Sequence, residues 1–206
     1  MERRVCEGCG APINLQRSHT RTCSNRCRSR VHRAAKRAQS MAKVPVFPPE
    51  LTCLPRFVRW KMVRRTSGNG NVRMTKVPLT ADGRYASSTD STTWATHEAV
   101  TASTVGVGIG FVLGEGVGCI DLDDAIVDGA VLPWAQEIID ANQGTYIEVS
   151  QSGNGVHLWG YLEEQPGRVI RDGRNIEVYS AGRYIALGTP VTGSSMELKP
   201  LVTHIL

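Results

Sequence analysis

The sequence predicts an α+β domain with a largely antiparallel sheet, preceded by a small cysteine-bearing module. Helical patterns stand early in the main part of the chain, while strand-like runs separated by Gly or Asn turns crowd its second half. Four of the six cysteines fall before residue 28.

The module is residues 1–40. Its cysteines are spaced Cys6-x2-Cys9, thirteen intervening residues, then Cys23-x3-Cys27. In a reducing compartment such close pairs are the pattern of tetrahedral Zn²⁺, each pair forming one knuckle of the site. Gly8 and Gly10 suit the tight turn of a knuckle, and Ser24 caps a helix expected from about Asn25 to Gln39. Bound metal would supply much of the folding energy of a segment too small to own a core. His19 and His32 are substitute ligands, although four cysteines already complete the shell. The helix carries arginines on several faces and almost no apolar stripe, which suits phosphate contact. A zinc-stapled cap that binds nothing is the alternative.

Charge separates this module from the rest. Residues 1–43 hold eleven Lys/Arg against Glu2 and Glu7, so a net charge of +5 for the whole chain leaves the remainder at −4. A basic arm on a mildly acidic body points to a polyanionic partner for the arm. At 206 residues and 41% hydrophobic content, the chain suits one well-buried domain plus a small appendage. No run of about 18 apolar residues is present, and "MERRVCEGCG" lacks an apolar signal core. The expectation is a cytoplasmic protein without a membrane partner.

Prolines in "MAKVPVFPPELTCLP" make 41–55 a linker, leaving 56–206 as the second domain. Within it "RFVRWKMV", "GVGIGFVL" and "VGCIDL" read as strands. "STTWATHEAVTAS", capped at Ser91, and "GAVLPWAQEIIDAN", with Pro133 in its first turn, read as helices. "TYIEVS", "GVHLWGYL", "NIEVYS" and "RYIALG" complete the strands. Cys53 and Cys119 read as linker or buried thiols. "GVGIGF" does not fit G-x-G-x-x-G in register and no G-x-x-x-x-G-K-[ST] occurs, which excludes a Rossmann cofactor site and a P-loop motor.

In "CIDLDD" the two-residue strand period puts Asp121 and Asp123 on one face while Leu122 turns inward. Two carboxylates so placed repel unless a cation sits between them, and oxygen-only ligands suit Mg²⁺ or Mn²⁺. A strand end with an acidic loop is the other reading of a bare D-x-D, and Asp124 belongs to it. Glu177 stands between Ile176 and Val178 in a core-type strand, where a carboxylate needs a partner. Convergence of the three acids would build a site for two cations. In "SQSGNGVHLW", Ser152, Gly153, Gly155 and His157 make either a phosphate nest or a Ser-Gly hairpin with a core histidine. Arg183 and Lys76 are candidate phosphate cations or surface charges.

Taken in order, "TKVPLTADGRYASSTDSTTWATHEAV", "VGIGFVLGEGVGCIDLDD", "TYIEVSQSGNGVHLWG" and "NIEVYSAGRYIALG" resemble the bifunctional primase-polymerase domain of phage and plasmid replication proteins. That family is a branch of the archaeo-eukaryotic primase superfamily. The resemblance implies an RRM-like palm with an accessory αβ unit, metal ligands at Asp121, Asp123 and Glu177, and triphosphate contacts at Ser152, Gly153, Gly155, His157 and Arg183. It also implies Mg²⁺ or Mn²⁺ as cofactor, a single-stranded DNA template, NTP or dNTP substrates and a separate helicase. The module before the palm resembles the short zinc modules ending "CSNRCR" of phage and mobile-element proteins. The expected activity is template-directed nucleotidyl transfer; the rivals are a non-catalytic zinc-containing replication factor and a metal-dependent nuclease.

Overall fold

The computed structural model describes residues 4–13, 20–41, 46–66, 68 and 70–206. It divides into two compact units, Met1–Val44 and Pro45–Leu206. His19, named above as a substitute ligand, and residues 42–45 of the expected linker lie outside the described residues.

In the first unit helix α1 spans Asn25–Met41. The Ser24 hydroxyl accepts from the Cys27 amide at 3.3 Å, so the residue that starts the helix also fixes the second cysteine pair. An isolated bridge between Val5 and Pro12 closes the first knuckle. Its inner residues Cys6, Ile13 and Cys27 are buried.

In chain order the second unit runs α2 (Pro49–Thr52), β1 (Phe57–Thr66), β2 (Val72–Leu79), a 3₁₀ turn (Ser91–Thr93), α3 (His97–Ala102), β3 (Gly108–Val112) and β4 (Val117–Asp123). There follow β5 (Ile126–Val127), β6 (Ala130–Val131), α4 (Pro133–Ala141), β7 (Tyr146–Val149), β8 (Val156–Tyr161) and β9 (Arg168–Ile170). The chain continues with β10 (Asn175–Tyr179), β11 (Tyr184–Ala186), β12 (Thr189–Pro190) and β13 (Lys199–Pro200).

These strands form two main sheets where the sequence suggested one. The smaller has the order β11-β3-β1-β2, the larger β12-β7-β8-β4-β10-β9 with β13 beside β8, and only the β13 pairing is parallel. Alternation along β4 explains the layering. Ile120 and Leu122 join Val156, Leu158, Ile176 and Val178 in a core completed by Ala135 and Ile138 of α4. On the other face Cys119, Tyr146 and Trp159 pack with Phe57 and Phe111 of the smaller sheet. Edge-on aromatic contacts hold that second core, Phe57 to Phe111 at 5.2 Å and Phe111 to Trp159 at 5.9 Å between ring centroids.

Two expectations need revision. Phe47 and Leu51 belong to the core of the second unit, so residues 46–55 of the expected linker are part of the body. Their apolar side chains outweigh the proline signal, and Pro49 simply opens a short helix. The single helix expected from Ser91 is instead a 3₁₀ turn, an extended link and the six-residue α3. Asp90 caps the first piece and Thr96 the second, while Ala95 pairs with Phe57 as an isolated bridge. Side chains that bond local backbone, together with the β-branched run of threonines, divide the segment.

Candidate active site

Register assembles the site. Asp121 of β4 lies opposite His157 of β8 on one side and Glu177 of β10 on the other, and His157 lies opposite Glu148 of β7. Directly paired residues share a face, so Glu148, His157, Asp121 and Glu177 form one polar row across four strands. Two residues further along each strand the same face carries Tyr146, Trp159, Cys119 and Tyr179, all in the inter-sheet core. The polar row is therefore the rim of a dry interior.

Oxygens of Asp121, Asp123 and Glu177 lie within 4.8 Å of one another. Burial, with further repulsion from Asp123 and Glu177 and relief from His157, pushes Asp121 up from 3.8 to about 6. Its Oδ1 is buried without a hydrogen bond, with His157 Nε2 3.5 Å away. Asp123 is also raised, by burial and then by the charges of Glu177 and Asp124. An orphaned carboxylate oxygen facing two more acids fits a divalent cation, because the donor set is all oxygen and lacks only positive charge. Glu177 is already engaged, accepting from Arg171 at Oε1 and from the Tyr179 hydroxyl at Oε2, 2.8 Å away. Arg171 supplies the positive charge that Glu177 otherwise lacks, and coordination of a cation by that oxygen requires the guanidinium to turn aside.

The remaining residues named from the sequence gather around this row. Arg183 stacks on the Tyr179 ring at 4.6 Å and donates to its hydroxyl at 3.0 Å, so it reaches Glu177 through one intervening group. Lys76, on the smaller sheet, lies near enough to lower both Asp121 and His157. Gly153 adopts φ +84°, and a Cβ on Gly155 would meet the Leu122 carbonyl and Ser150 Oγ at 2.9 Å each. The nest is narrower than expected. The Gly153 amide donates to the Ser150 carbonyl and the Gly155 amide to Ser150 Oγ, so both close the turn rather than face outward. The Ser152 hydroxyl, exposed, bonds Ser150 Oγ and Asn154. Asp124, in the left-handed region at φ +53°, accepts from Asn154 at 2.8 Å and Asn175 at 3.1 Å, tying this turn and the start of β10 to the end of β4. That structural role agrees with its reading as a loop acid.

Three residues of the candidate site escaped the sequence reading: Glu148, Arg171 and Tyr179. Glu148 is fully buried and accepts from His157 Nδ1 at 2.8 Å and from the Tyr146 hydroxyl at 3.0 Å. Burial disfavours a charge on His157, yet the Glu148 hydrogen bond and the negative charges of Asp121 and Glu148 outweigh it and raise its pKa. The imidazole thus holds Nδ1–H toward Glu148 and turns Nε2 toward the acids.

In the first unit Cys6, Cys9, Cys23 and Cys27 form a second group, their sulfurs within 4.8 Å of one another. Cys23 Sγ lies 3.6 Å from both Cys9 and Cys27. Zinc–sulfur bonds of about 2.3 Å in a tetrahedron put sulfurs about 3.8 Å apart, so the cluster fits that ion. The Cys23 amide points at Cys6 Sγ from 3.2 Å and lowers its thiol pKa to about 6 despite burial. His32 is not in this group.

No family model matches the chain. Among curated proteins it is similar to the protein named DNA Primase-polymerase of Nitratiruptor phage NrS-1, 29% identical over 172 residues. The match covers 77% of this chain and 23% of that protein, so the chain spans under a quarter of its relative's length. This likeness supports the family resemblance carried by the sequence motifs.

Proposed function

We propose that the chain is a DNA primase-polymerase that transfers nucleotides from NTP or dNTP to a 3′-hydroxyl on a single-stranded DNA template. The observation that carries this reading is the register that brings Asp121, Asp123 and Glu177 together beside His157. The strand order β7-β8-β4-β10, with α4 between β4 and β7, supports it. That order agrees with the split β-α-β arrangement expected of an RRM-like palm, with extended chain and β9 where a second helix would stand. The likeness to a phage DNA primase-polymerase supports it independently.

Asp121, Asp123 and Glu177 would hold the divalent cations, Mg²⁺ or Mn²⁺, whose chemistry is to activate the attacking hydroxyl and neutralise the phosphates. The protein's own contribution is positioning and charge. His157, held by Glu148, presents Nε2 at the edge of the acid cluster, where it can donate to a phosphate oxygen. Arg183 and Lys76 add positive charge on either side, and the turn 150–155 brings backbone and the Ser152 hydroxyl alongside. The dry face behind the row strengthens each of these interactions. The cysteine cluster would hold structural Zn²⁺, with the basic α1 contacting the template.

Purified protein given primed single-stranded DNA, nucleotides and Mg²⁺ or Mn²⁺ should elongate the primer, and Asp121→Ala/Asp123→Ala should abolish elongation. Equal elongation by that variant would refute the assignment. DNA cleavage without added nucleotide would replace the reading with a nuclease.

A further inference from the structure

The hairpin of β1 and β2 is longer than the sheet it belongs to. β3 pairs with β1 only from Phe57 to Trp60, while β2 continues alongside to Thr66. Residues Lys61–Thr66 and Val72–Val77 therefore form a two-stranded ribbon beyond the third strand. Its charge is one-sided. Between Phe57 and Leu79 the chain has Arg59, Lys61, Arg64, Arg65, Arg73 and Lys76 and no Asp or Glu, although the body as a whole is net acidic. Arg64, Arg65 and Arg73 are exposed. Among the described residues none of the three pairs with a carboxylate.

One face of the ribbon leads back to the acid row. Register places Met62 opposite Lys76 and Arg64 opposite Met74, and alternation puts Trp60, Met62, Arg64, Met74 and Lys76 on a common face. Lys76 Nζ lies 5.7 Å from the Trp60 ring centre, and its charge acts on Asp121 and His157. Outward from there Met62 and Met74 are 42% and 55% exposed, alternating with cations instead of packing into the core. A cationic track with interleaved apolar side chains suits a flexible polyanion that carries flat apolar groups, each phosphate meeting a cation and each base a methionine. A lipid surface is a poorer match, because the free part of the ribbon has no aromatic residue to anchor in an interface.

We propose that this ribbon is a second binding surface for single-stranded DNA, which it guides past Lys76 to the carboxylate row. The proposal rests on the nucleotidyl-transfer reading for the destination of the strand, but not for the binding itself.

The test is fluorescence anisotropy of a labelled oligothymidylate with the full chain across a salt series. It compares wild type with Arg64→Ala/Lys76→Ala, the two cations of the track face, and with the charge-preserving Arg64→Lys/Lys76→Arg. Loss of two phosphate contacts should lower the slope of log K against log salt by about 1.4, with affinity at low salt falling severalfold, and the charge-preserving variant should keep the wild-type slope. Unchanged slope and affinity in the alanine variant would overturn the proposal. So would unchanged DNA binding with lost binding to vesicles of anionic phospholipid, which would make the ribbon a membrane contact. Primer elongation by wild type is measured in parallel. Ribbon-dependent DNA binding without elongation would refute the transfer reading alone, and elongation with ribbon-independent binding would refute the ribbon alone.

Discussion

Replacing Asp121 by asparagine should stabilise the metal-free protein at neutral pH. The native carboxyl titrates at about 6 instead of 3.8, chiefly because it is buried. Its ionised form is thus disfavoured in the folded state, and the displacement corresponds to about 3 kcal/mol once the group is charged in both states. Below about pH 3.8 the carboxyl is neutral folded and unfolded, and costs nothing. The cost grows as pH rises toward 6 and is complete above it. Asparagine has nearly the same shape and no charge, so the stability difference between variant and wild type isolates this group from the other titrating acids. Urea unfolding in EDTA at pH 4 and pH 8 should show near equality at the lower pH and an advantage of about 3 kcal/mol for Asp121→Asn at the higher. Added Mg²⁺ should then stabilise wild type by about 2.7 kcal/mol at a hundredfold excess over the dissociation constant, closing most of the gap, and leave the variant unmoved. A difference independent of pH, or a variant less stable than wild type at pH 8, would refute the view that Asp121 is a charge lacking its counterion.

Glu148→Ala should cost about 3–5 kcal/mol in urea unfolding because it strands a buried histidine and a tyrosine hydroxyl; a loss below about 1 kcal/mol would contradict that pairing. Gly155→Ala should displace the 150–155 turn, since its Cβ would press on the Leu122 carbonyl. A raised KM for nucleotide is expected, and unchanged kinetics would show the turn to be a bystander. Stripping metal with a strong zinc chelator should remove the helical circular dichroism of α1 while the body keeps its unfolding transition; retention of that helix after chelation would argue against a metal-built module.

The acid cluster was readable because strand periodicity is strict. Asp121 and Asp123 had to share a face, and Glu177 stood out as a charge between Ile176 and Val178. Glu148 carries the same signal between Ile147 and Val149 and could have been found by it. Arg171 and Tyr179 had no such mark, since their role comes from the register of β10 against β4 and from the turn before it. The division into two sheets was not readable either, because local patterns do not say which strands pair. β2 was missed behind its proline, Pro78, and the ribbon's charge was masked by the acidic total of the body. The break at Trp94 and Ala95 follows from caps and a bridge to Phe57, which helix periodicity does not register.

The most direct test of the account is a crystal structure of the chain with Mn²⁺ and a non-hydrolysable nucleoside triphosphate. Anomalous density should appear about 2.1 Å from oxygens of Asp121, Asp123 and Glu177, with Arg171 turned away from Glu177 and the triphosphate against His157. Manganese bound elsewhere, with Glu177 still paired to Arg171, would contradict it.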